Sequence, residues 1–327
     1  MPNRYAACFQ VFRKGDERKL LVFASHDHKD TLAAYRFGGT GGPRIPLARV
    51  AALSTTHAAY LALLDDARSL AGVADGRRVR EPLVRTGLAE GRIAELGTPD
   101  GVDAEKLLAC RANAVLDHPF GRGARQRAAI GVPTIEVAEY LEEHPLGRAE
   151  WLRFFGVLLG LEARADSLFQ GIEQRYIEAA RSVVADRPRP HVFFGSAWQG
   201  QWHAPPGNSC MARLIMDAGG EYALAHATGN GNIALDLEQV LHEAAQADFF
   251  GAVVADGRQV DEMRLAGDER IAGLPGWRER AFCMDSERSD VFGRALLEPD
   301  VVLHELACIF QHRACPAAPR YVLRPGQ

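Results

Sequence analysis

The chain has 327 residues, 47% apolar and 24% charged, with a formal net charge of −4. That length exceeds one ordinary domain and suggests about two, with enough apolar content for sizeable cores. The charge balance offers no basic stripe for nucleic acid, and no apolar run approaches the roughly 18 residues a membrane-spanning helix needs.

In chain order, the first 45 residues hold short alternating runs such as KLLVFA and a Gly-rich turn, FGGTGGPRIP. They read as an edge hairpin or small sheet. The opening MPNRYAACFQVFRKGDERKLL lacks the basic, then apolar, then small-residue order of a secretory signal. Two readings follow: a cytoplasmic protein, or one whose signal has been removed. From Arg49 the texture becomes strand and helix in alternation: RVAAL a strand, STTH a turn, AAYLALLDDA a helix, then AVLDH and PTIEVA as further strands. Such alternation implies βαβ units on a mainly parallel sheet.

The clearest helix is ADSLFQGIEQRYIEAARSV, with Ala165, Leu168, Phe169, Ile172, Tyr176, Ala179, Ala180 and Val183 at a period near 3.6. RPRP is expected to end it. Alternation then restarts: HVFFGSA as a strand, SCMARLIMDAGG and DLEQVLHEAAQ as helices, DFFGAVVA as a strand and PDVVLHELACIFQH as the last helix. The expected fold class is α/β, two lobes joined by one long helix. The boundaries are residues 1–164 for the N-terminal lobe with its small sheet, 165–187 for the connecting helix and 188–327 for the C-terminal lobe.

The chain echoes itself. GVDAEKLLACRANAVL and ALDLEQVLHEAAQADFF each offer an Asp N-cap, Asp103 or Asp236, then an acidic first-turn residue, Glu105 or Glu238, and a helix leading into an apolar strand. Helix-capping chemistry alone accounts for either motif. The pair is also what a two-lobed protein could present to a two-fold partner.

Catalytic signatures are missing: no GxxxxGK[ST] loop, GxSxG elbow or HExxH helix occurs. Ser209 and Cys210 at a helix start read as an N-cap and a buried thiol, or as an activated nucleophile. His26 and His28 alternate on what reads as one strand face, without a third ligand at a recognisable spacing. The six cysteines form no CxxC pair and fit no zinc or redox spacing, so no metal site and no cofactor are expected. Ser54, Thr55, Thr56 and His57 follow a strand at a helix N-terminus, either as capping residues or as contacts for an anionic ligand group. Trp198 and Trp202 flank a turn and read either as core packing or as a stacking surface for a flat ligand.

The segments RVAALSTTHAAYLALL, EYLEEHPLGRAEW, IEQRY, PPGNSCMARLIMDAGGEY and EPDVVLHELACIFQH, in that order, resemble the substrate-binding proteins of metal-chelate ABC importers. This class captures ferric siderophores, haem or cobalamin. The resemblance runs from about Arg49 to Cys315. It implies two Rossmann-like lobes joined by one long rigid helix, with a ligand cleft between them, in a periplasmic, monomeric, non-enzymatic protein that binds a metal chelate and delivers it to a permease dimer with its ATPase, meeting the membrane only through the permease or a removed anchor. By local motif it places Glu105 in DAEKLL and Glu238 in DLEQVL as the docking glutamates. It also makes EYLEEHPLGRAEW a ligand rim feeding a helix, with Tyr140 offering a ring and hydroxyl. Arg148 either neutralises a chelate carboxylate or pairs with Glu150. SERSDVFGRALLEPD is where the second lobe's cleft residues are expected, Phe292 among them. The rival reading is a cytoplasmic α/β enzyme, or a metal-tetrapyrrole handling protein, on the same two-lobed fold.

Overall fold

The structure, a computed structural model, describes residues 2–38, 45–119, 131–184, 188–199, 201–254, 276–313, 315 and 317–324, the side chains of 277 and 278 excepted. The turn FGGTGGPRIP lies mostly outside these residues. The chain divides into two compact units: Met1–Glu142 with Leu146–Ile172 and Phe292–Leu297, and Glu143–Pro145 with Glu173–Val291 and Glu298–Gln327.

The first unit opens on a three-stranded antiparallel sheet, β1 (Phe9–Lys14), β2 (Glu17–Phe23) and β3 (Thr31–Phe37), in the order β1-β2-β3. Lys14 pairs with Glu17, and Gly15 at φ 56° supplies the left-handed turn residue such a tight hairpin requires. Next come β4 (Val50–Ala52), α1 (Thr55–Asp65), β5 (Leu70–Val73), α2 (Pro82–Ala89), β6 (Ala94–Glu95), the small hairpin β7 (Gly97–Thr98) and β8 (Gly101–Val102), α3 (Ala104–Ala109), β9 (Ala114–Asp117) and β10 (Thr134–Glu136). The sheet order is β10-β9-β4-β5-β6, all parallel. Every residue of β4, β5 and β9 is buried, as expected for parallel strands covered on both faces. STTH, expected as a turn, starts the helix instead. Ser54 alone is non-helical, and its hydroxyl accepts the Thr56 amide at 3.2 Å as an N-cap.

Helices α4 (Pro145–Glu150) and α5 (Leu152–Leu159) follow, then α6 (Glu162–Arg181), whose residues up to Ile172 belong to the first unit and the remainder to the second. Ala165, Phe169, Ile172 and Tyr176 form its buried stripe, matching the periodicity. It starts earlier than the apolar pattern suggests because Glu162 is held by Arg18 at 2.7 Å and Arg13 at 2.8 Å.

The second unit contains β11 (His191–Trp198), β12 (Gln201–Ala204), α7 (Cys210–Asp217), β13 (Glu221–Tyr222), β14 (Ile233–Leu235), α8 (Leu237–Gln246), β15 (Phe249–Val254), α9 (Trp277–Arg280), β16 (Ala281–Asp285) and α10 (Pro299–Phe310). Strand β11 pairs in parallel with β13 and β15, and β15 with β16. The antiparallel strands β12 and β14 extend the sheet from the far end of β11. Phe292–Leu297, expected among second-lobe residues, belongs to the first unit, where the Thr56 hydroxyl donates to the Phe292 carbonyl at 2.5 Å.

EYLEEHPLGRAEW turns out to fasten the N-terminus. The Glu150 carboxylate accepts the amides of Arg4, Tyr5 and Ala6 at 2.8–3.0 Å, and Glu142 accepts those of Ala7 and Cys8 and the Trp151 indole N–H at 2.9 Å. Both carboxylates are buried, and these donors replace the water they lose. Gly147 makes room for this close approach: a Cβ there would stand a tight 3.1 Å from the Tyr5 carbonyl oxygen and from Glu142. The Arg148–Glu150 pairing does not form: Glu150 pairs with Arg153, and Arg148 faces Glu139.

Candidate functional site

In the first unit the chain runs from β4 to β5 and β6 on one side, then returns to β9 and β10 on the other. The β4/β9 boundary is therefore the topological switch point, beyond whose carboxyl ends ligands gather in open α/β sheets. Three segments converge there: the α1 start after β4, His118 directly after β9, and Glu139 with Tyr140 just beyond β10.

Glu139 lies at the centre, fully buried. His57 Nε2 is 3.6 Å from its carboxylate, His118 Nδ1 4.0 Å and Arg148 Nη2 3.7 Å. Neither Glu139 oxygen accepts a hydrogen bond among the described residues, nor does either His57 ring nitrogen make one, so charge rather than hydrogen bonding organises the group. Burial alone would push the Glu139 carboxyl up, but His57, His118 and Arg148 together hold it at about 2. Burial lowers His118, and the neighbouring His57 adds to this. The His118 ring stands edge-on to His57 at 4.8 Å and to Tyr140 at 5.0 Å. The Val137 carbonyl lies 3.4 Å from His118 Nδ1 and can only accept, so that nitrogen carries the proton and Nε2 keeps its lone pair. With its side chain 37% exposed, His118 is the imidazole of this group that an outside ligand can reach.

Glu139 moves from an ordinary 4.5 to about 2 on folding, so its contribution is complete above about pH 4.5 and is lost as pH falls towards 2. Urea melts at pH 7, 4 and 3 are expected to show an acid loss, about 2 kcal/mol between pH 7 and pH 3, that Glu139→Gln lacks. An equal acid loss in the variant would contradict the assignment.

Of the sequence candidates, Ser54, Thr55, Thr56, His57, Tyr140 and Arg148 come together with this group. Ser54 and Thr55 stay partly accessible, whereas Thr56 and His57 are buried. Trp198, in the second unit, is 63% exposed, beside His203 at 6.0 Å. Trp202 is corrected to a core residue. It is 1% exposed, against Phe193 and Phe250, and its indole occupies the space a Cβ on Gly195 would need. Ser54 caps α1, and Ser209 caps α7 by accepting the Ala212 amide at 3.2 Å, with Cys210 half-buried. His26 and His28 lie in the β2–β3 turn rather than on a strand face. They contact the carbonyls of Leu141 and Ala7 at 3.1 and 2.8 Å.

His118 and Glu139 were not singled out from the sequence. His118 carried a readable signal, as the first residue past the strand AVLD. Glu139 carried none, because one surface-type residue in a run with three other glutamates gives no hint of burial.

The internal echo is structural. Asp103 caps α3 through the Lys106 amide, and Asp236 forms a full capping box on α8 with Gln239. Glu105 and Glu238 lie exposed in the two first turns. In each unit the capped helix feeds the strand beside the first parallel strand: α3 into β9 next to β4, and α8 into β15 next to β11.

Among known proteins, an uncharacterized lipoprotein of Methanocaldococcus jannaschii is 25% identical over 321 residues, covering 94% of this chain and 75% of its own. A periplasmic heme binding protein from Pseudomonas aeruginosa superposes with a TM-score of 0.66 at 18% identity, over 86% of this chain and 99% of its own. A possible iron-binding, periplasmic solute-binding protein from Staphylococcus epidermidis gives 0.61 at 13% identity, over 81% and 98%. These similarities establish the shared two-lobed α/β fold. Residues 50–282 match the periplasmic binding protein family, a span that takes in the first parallel sheet and most of the second, and the chain belongs to that family.

Proposed function

We propose that this protein is an extracytoplasmic solute-binding protein that captures a metal chelate of the haem or ferric-siderophore class and hands it to an ABC permease dimer with its ATPase. The observation that carries this reading is the half-exposed His118 imidazole at the switch point of a periplasmic binding protein family member. The P. aeruginosa protein of the same fold binds heme by name, and a relative at 25% identity is a lipoprotein by name. Ser54, Thr55, Tyr140 and Arg148 supply the polar contacts of this first-unit site, and the exposed Trp198 ring of the second unit is a separate candidate stacking surface. Glu105 and Glu238 dock the permease.

Titration with hemin, cobalamin and ferric siderophores, followed by ligand absorbance and tryptophan quenching, tests this. Saturable one-to-one binding of one of them is expected, weakened at least tenfold in His118→Ala. No saturable binding by any probe, with the fold intact by circular dichroism, would overturn the reading.

A further inference from the structure

On α10, His304 and Cys308 are four residues apart and so share one helix face. His304 Nε2 and Cys308 Sγ stand 3.7 Å apart, and Cys315, from the chain after the helix, brings a second thiol to them. All three ligand atoms lie within 4.8 Å of one another. A nitrogen and a sulfur sharing one tetrahedral zinc ion are separated by about 3.6 Å, and two such sulfurs by about 3.8 Å, given the usual bond lengths. The His304–Cys308 edge already has that length.

We infer that His304, Cys308 and Cys315 form a thiolate-preferring metal site of the zinc(II) class, distinct from the proposed chelate site and in the second unit. One imidazole and two sulfurs are a soft to borderline donor set, which selects zinc over magnesium or calcium. The obvious hard competitor is engaged elsewhere: Glu305, next to His304, accepts the amides of Arg320, Tyr321 and Val322 at 2.6–3.0 Å. Three protein ligands leave a fourth position for water.

The site has a structural use. After α10 the chain returns to that same helix, held by Glu305, and Leu323 then bridges to Cys283 on β16. Cys315 lies between departure and return, so a shared ion pins the connection to the helix. The spacing H-x3-C-x6-C matches no common zinc motif, and it is the return of the chain to α10 that brings the third ligand in.

Cobalt(II) titration of the full chain, kept reduced with a phosphine, tests the inference. One equivalent is expected to develop intense near-ultraviolet thiolate-to-cobalt absorption with tetrahedral visible bands, displaced by equimolar zinc(II). Cys315→Ser and His304→Ala, at partly accessible positions, are expected to lose at least tenfold in affinity, whereas Cys210→Ser binds as the parent does. A weak octahedral spectrum, or unchanged binding in Cys315→Ser, would overturn the site. So would a Cys308–Cys315 disulfide found by peptide mapping of protein isolated without reductant, since the two sulfurs would then no longer be ligands.

Discussion

Reversing both charges, Glu105→Lys with Glu238→Lys, is expected to abolish chelate uptake in cells carrying the cognate permease while leaving ligand affinity of the purified protein unchanged. Both side chains are exposed in the first turns of capped helices, so neither contributes to a core and the variant should fold. Each lies at an equivalent place in its own unit, ahead of the strand that neighbours the first parallel strand. A pair of carboxylates at matched positions suits a two-fold partner bearing cationic pockets, where charge complementarity governs encounter rate and register. Like-charge contacts at both ends would oppose docking, so loss should be near complete in the double variant and partial in either single one. Unchanged uptake in the double variant would remove the docking assignment. Reduced chelate affinity would show instead that the lysines disturb the binding site itself.

The second large effect lies in the run EYLEEHPLGRAEW. Glu150→Ala is expected to destabilise the protein by about 3–5 kcal/mol, because it removes a buried acceptor and leaves its partners without compensation. Those partners are the amides of Arg4, Tyr5 and Ala6, and Arg153, which keeps Asp166 at 2.8 Å and the Phe169 ring. Glu150→Gln retains a carbonyl acceptor and should lose less. Urea denaturation reads the stability, and hydrogen exchange at residues 4–6 reads the detachment directly. A Glu150→Ala variant within about 1 kcal/mol of the parent would show that the segment is held by packing, for instance by Phe9 against Trp151 and Phe154.

The alternation of short apolar strands with helices from Arg49 onward determined the α/β class, since a buried parallel strand must be apolar on both faces and its helix on one. The 3.6-residue period located α6, and the Asp-x-Glu signature located α3 and α8, because periodicity and N-caps are properties of a few adjacent residues. The tertiary structure decided what side chains do once distant segments meet. Only the β10-β9-β4 order carries Glu139 to His57 and His118, turning a surface-type residue into a buried ionised one. Only the packing of Phe193 and Phe250 settles that Trp202 is core while Trp198, four residues earlier and of the same type, is exposed. Glu142 and Glu150 have the composition of an exposed helix face and the role of staples, because the amides they hold are more than 130 residues away in sequence. Burial of a polar group is set by its partners, and sequence-distant partners are what local pattern cannot contain.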